Sequence, residues 1–88
     1  MTAQFSAIDR ILVVDDSPDN VFLIQTILEE EGYDISTAED GPSALAQIEE
    51  NAPHLVLLDV MMPGMDGFEV TGRIRQNTKL PFIPILLI

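Results

Sequence analysis

Three aspartates carry most of the chemistry this sequence can offer. Asp59 closes the apolar run Leu55-Val56-Leu57-Leu58 and is followed at once by the turn-rich Val60-Met61-Met62-Pro63-Gly64-Met65-Asp66-Gly67. Asp15 and Asp16 close a second apolar run, Ile11-Leu12-Val13-Val14. A carboxylate at the mouth of a buried strand is held in place and faces outward, so two such ends side by side bring three carboxylates together. Held close, they repel one another unless a cation neutralises them, and carboxylate oxygens favour a hard ion. Mg²⁺ suits the set, because it keeps several waters and needs only one or two carboxylates.

Placing the three together requires adjacent parallel strands. Short apolar runs bounded by turn signals are expected for strands buried on both faces. Ile11 to Val14, Leu55 to Leu58 and Ile85 to Ile88 fit, while the weaker alternation from Tyr33 to Ala38 predicts a half-exposed edge strand. Ser17-Pro18 is a cap followed by a first-turn proline, and Val21, Ile24, Ile27 and Leu28 then repeat at helical spacing until Gly32. A second helix opens at Gly41-Pro42, carries Ala44, Leu45 and Ile48 on a narrow stripe, and stops at Asn51 and Pro53. A third begins near Asp66, with Glu69 at capping-box spacing and Phe68, Thr71 and Ile74 expected to face inward. Four strands alternating with three helices predict an α/β fold: an open, three-layer parallel sheet with helices on both faces. Such sheets bind ligands beyond the carboxyl ends of their strands, where the strand order reverses, and all three aspartates belong to such ends.

Composition narrows the function. With 88 residues the chain forms one small domain at most, and its 47% apolar content beside a net charge of -11 demands sharp segregation of the two classes. Mean hydropathy is +0.23 and the isoelectric point is near 4.1. Only Arg10, Arg73, Arg75 and Lys79 are cationic, which argues against binding nucleic acid or an anionic membrane. The chain has no cysteine, no signal-like start and no run approaching the ~18 apolar residues of a membrane span, so a cytoplasmic location is expected.

The acidic pair, the strand-end aspartate and the Pro63 and Gly67 of MMPGMDG closely resemble the receiver domain of two-component response regulators, a CheY-like member of the flavodoxin-like folds. The resemblance covers nearly the whole chain, with residues 10–88 as the receiver and 1–9 as an N-terminal tail. It implies that Asp59 is the phosphoacceptor, that Asp15 and Asp16 hold Mg²⁺ directly or through water, and that the Met61 backbone carbonyl is a further ligand. A histidine kinase or phosphotransfer protein would supply the phosphoryl group. The domain would then act as a signalling module and not as an enzyme.

The family pattern continues past a fourth strand with a hydroxyl residue, a fifth strand ending in lysine, and further helices. The sequence ends at Ile88, as a natural truncation or as the N-terminal part of a longer regulator. Arg10 and Lys79 precede strands and so belong to the opposite end of the sheet, roughly 17 to 20 Å from Asp59. Arg73 and Arg75 come late in a helix leading away, so none of the four replaces the lysine. The apolar stretch from Ile85 to Ile88 on an unpaired edge predicts a homodimer or larger assembly.

Alternatives remain beside this reading. The chain could be a receiver-shaped assembly module that self-associates without a phosphorylation switch. A haloacid-dehalogenase-type phosphatase also uses a strand-end aspartate but requires a second aspartate two positions on, where this chain has Met61. Asp16 and Asp66 could cap helices. The thioethers of Met61, Met62 and Met65 are too soft for Mg²⁺ and are expected to pack, and His54 is expected to be a solvated residue away from the acids.

Overall fold

Seven elements alternate along the described residues: β1 (Arg10–Val14), α1 (Pro18–Glu30), β2 (Asp34–Ala38), α2 (Gly41–Glu50), β3 (Leu55–Leu58), α3 (Gly67–Gln76) and β4 (Ile85–Leu87). The computed structural model describes residues 8–88, so most of the tail expected over residues 1–9 lies outside the described residues. All pairings are parallel and the sheet order is β2-β1-β3-β4. This is the flavodoxin-like order, in which the chain leaves β1 for one side and returns through β3 on the other. No described helix is long and apolar enough to cross a membrane.

Local chemistry sets the helix starts. The Ser17 hydroxyl accepts the Asn20 backbone N–H, Asp40 accepts that of Ser43, and Asp66 accepts that of Glu69, so each helix has a side-chain cap. Ser17 therefore takes the capping role considered for Asp16, whereas Asp66 does cap its helix. The expected capping box is incomplete, because Glu69 turns to Arg73, 3.0 Å away, in place of reaching back. Gly32, at φ 96°, follows α1 in the left-handed region that a residue with a Cβ seldom enters.

Strand alternation divides the core. Leu12, Val14, Val56 and Leu58 pack with Ala44 and Ile48 of α2 and Val70 and Ile74 of α3 on one face. Ile11 and Val13, also buried, point to the other face, where α1 packs along β1 and β2. No residue of α1 is fully buried, and Ile27, expected on its inner stripe, is exposed beside Phe22 and Leu23. A lone helix over one half of a sheet face covers that face without being enclosed itself. On α3 the inward residues are Gly67, Val70 and Ile74, whereas Phe68 is 63% exposed, contrary to the expected stripe. Close approach of the helix start to β3 turns the Gly67 side inward, and Phe68 is carried outward with the next position.

His54 is also more engaged than expected. Its Nδ1 accepts the backbone N–H groups of Asp9 and Arg10, each at 3.1 Å, joining the approach to β3 with the start of β1. Arg75 donates to the Ile83 carbonyl at 2.8 Å and stacks over Phe82, tying α3 to the segment leading into β4.

Candidate functional site

Parallel pairing of β1 with β3 sets Val14 against Leu58, and the ladder continues one residue further through Asp59 N–H to the Val14 carbonyl at 2.9 Å. Asp15 N–H donates to the Ala38 carbonyl at 3.1 Å, linking the same level to β2. The two central strands thus end together and carry their acids past the sheet on one edge. One carboxylate oxygen from each of Asp15, Asp16 and Asp59 lies within 4.8 Å of the other two. Asp15 is buried at 3% exposure, Asp59 is half-buried and Asp16 is exposed.

The carboxylates differ in how firmly they are held. Asp15 Oδ1 accepts the Ser17 backbone N–H at 2.9 Å and Oδ2 faces Asn20 Nδ2 at 3.4 Å. Asp59 Oδ1 accepts the Met61 backbone N–H at 3.0 Å, which orients one oxygen of the carboxylate. Two like charges within 4.8 Å of each other repel by at least about 3.5 kcal/mol at an effective dielectric of ~20, so the Asp15–Asp59 pair favours a counter-charge. No cation among the described residues is paired with the trio. Among the described residues the one ion pair is Arg73–Glu69, Arg10 donates to Asn51, and Arg75 is engaged with Ile83 and Phe82. An all-oxygen set of three carboxylates fits a hard divalent cation.

The turn after Asp59 is held against the site by close packing. Met61 is 81% exposed, while Met62 enters the core and Met65 packs against Gly41 of α2. Gly67 N–H donates to the Val60 carbonyl at 3.0 Å, and a Cβ at Gly67 would lie 2.5 Å from the Asp59 carbonyl oxygen. Only a residue without a side chain permits that approach. The roles of Ser17 and Asn20 around Asp15 are legible in the structure alone, since a serine and an asparagine at a helix start read equally well as ordinary caps. Residues of this turn, with Phe68 of α3, line a hollow bounded by Val60, Met61, Met62, Pro63, Asp66 and Phe68.

A family model described as the response regulator receiver domain matches residues 11–88. Response regulator PleD of Caulobacter vibrioides is 51% identical over 79 residues, which is 90% of this chain but 17% of PleD. Response regulator TrrA of Thermotoga maritima, solved in complex with Mg²⁺-BeF, is 49% identical with a TM-score of 0.77, covering 82% of this chain and 63% of that one. A structure of histidine kinase ThkA in complex with TrrA aligns at a TM-score of 0.82 and 46% identity over 91% of this chain and 67% of the other. With a family model matched over residues 11–88 and half of 79 aligned residues shared with PleD, the chain belongs to the family of response regulator receiver domains, phosphoacceptor modules of two-component signalling.

Proposed function

We propose that Asp59 is the phosphoacceptor, and that residues 10–88 form the receiver unit receiving the group from a phosphohistidine of a histidine kinase or phosphotransfer protein. The carrying observation is the oxygen cluster of Asp15, Asp16 and Asp59 at the carboxyl ends of the two central strands. Asp59 Oδ2 attacks phosphorus while the P–N bond breaks, so a P–O bond replaces it and the imidazole keeps the electron pair. The Met61 N–H holds the other oxygen and directs the attacking one. A carboxylate needs no general base, so the protein contributes mainly position and charge. Asp15, Asp16, Asp59 and the Met61 carbonyl would hold Mg²⁺, which when bound offsets the charge of the phosphoryl oxygens. The TrrA structures with Mg²⁺-BeF and with a kinase support this reading by similarity.

Mass spectrometry of the chain with MgCl₂ and acetyl phosphate tests it. A phosphoryl adduct is expected on the wild type and absent from Asp59→Asn; an equal adduct on both would refute the assignment.

A second reading, self-association, is favoured by the fourth strand. β4 is an edge of the sheet, and Phe82, Leu86 and Ile88 around it are exposed at 80%, 56% and 48%. The 88-residue chain is expected to run as a dimer or larger species by light scattering at tens of micromolar. A strictly monomeric mass would remove this reading while leaving the phosphoacceptor site intact.

A further inference from the structure

Asp15 is the buried member of the acidic trio, and both of its oxygens face donors from the first turn of α1. The Ser17 donor is backbone and survives substitution, whereas the Asn20 donor is a side-chain amide. Asn20 is the one side chain among the described residues that donates to any of the three carboxylates. The torsion that turns a carboxylate about its own axis is broad and two-fold, so a single bonded oxygen leaves the plane loosely set. A second donor on the other oxygen, the Asn20 amide 3.4 Å away, narrows its range.

We infer that Asn20 is a positioning residue that sets the plane of the Asp15 carboxylate and thereby favours Mg²⁺ over Ca²⁺ at this site. The inference rests on the proposed cation role of the trio. Mg²⁺ demands near-ideal octahedral geometry with short ligand distances, while Ca²⁺ accepts longer distances and irregular arrangements. A ligand free to rotate therefore penalises the smaller ion more. Residues that orient a metal ligand from behind matter for affinity even though they never touch the ion.

Asn20→Ala isolates the amide. The backbone N–H of residue 20 still caps onto Ser17, and alanine is a better helix former than asparagine, so the start of α1 is retained. The experiment follows amide resonances of the ¹⁵N-labelled chain during separate titrations with MgCl₂ and CaCl₂, the spectrum also reporting whether each protein is folded. The expected result is an Mg²⁺ dissociation constant raised by about 10-fold, the lower end for loss of a ligand-orienting partner, with a distinctly smaller change for Ca²⁺. Unchanged affinity for both ions, or an equal loss for both, overturns the inference. Should the alanine variant be unfolded, Asn20→Ser carries the same test. A wild-type chain that binds neither ion overturns the cation reading together with this one; wild-type binding with an indifferent variant removes only the role of Asn20.

Discussion

Replacing Gly67 by alanine tests whether the start of α3 is set by direct contact with the backbone of Asp59. The new Cβ would lie 2.5 Å from the Asp59 carbonyl oxygen and 2.9 Å from Val60 Cα, where ordinary contact begins at 3.4 Å. Both obstacles are backbone atoms of the segment carrying Asp59, so neither can swing aside as a side-chain tip does. Overpacking of this kind costs about 1 to 3 kcal/mol. If α3 retreats far enough to break the Gly67 N–H bond to Val60, a further 0.5 to 1.5 kcal/mol or so is lost. Alanine's helix propensity returns about 1 kcal/mol at most. With both losses the net is about 0.5 to 3.5 kcal/mol, which lowers the melting temperature by roughly 2 to 28 °C in a domain of this size. Gly72 supplies the internal control, because it lies in the same helix with nothing within 4 Å of an added Cβ. Gly72→Ala is expected to stabilise by about 0.5 to 1 kcal/mol through propensity alone. Thermal unfolding followed by circular dichroism reads both variants. A Gly67→Ala protein as stable as the wild type, or a Gly72→Ala protein destabilised like it, would show that the close approach does not constrain the helix.

Ion binding to the native trio should appear as stability: Mg²⁺ at 100 times its dissociation constant is expected to add about 2.7 kcal/mol to unfolding. Asp15→Asn should lose most of that gain in urea titrations with and without Mg²⁺, and retention of the full gain would count against Asp15 as a ligand. Within the core, Ile48 is 0% exposed and Ile27 is 53% exposed. Ile48→Ala is therefore expected to cost about 2 to 5 kcal/mol and Ile27→Ala no more than about 0.5; equal urea midpoints for the two variants would contradict the assigned faces.

Much of the architecture was legible in local patterns. Runs such as Ile11 to Val14 and Leu55 to Leu58 announced strands, because an unbroken apolar stretch is stable only when both of its faces are covered. Ser17, Pro18 and Asp66 announced helix starts, because capping is chemistry between residues three apart in sequence. The position of Asp15, Asp16 and Asp59 at strand ends followed directly, and with it the expectation of a cation site.

Other features depended on partners distant in the chain. Helical spacing put Phe68 and Ile27 on apolar stripes, but spacing says which side chains share a face and not whether another layer lies over it. The sheet covers Val70 and Ile74 and leaves Phe68 and Ile27 exposed. His54 looked solvated until the approach to β3 met the start of β1, some forty-five residues away, and supplied two amides to its ring. Nor could sequence alone distinguish Asn20 as a capping residue from Asn20 as a donor to Asp15. Sequence by itself determined the elements and the residue types at their ends, since those depend on short-range sterics and hydrogen bonding. Tertiary structure decided which side chains are enclosed and how each carboxylate is held, since both depend on atoms that only folding brings within contact distance.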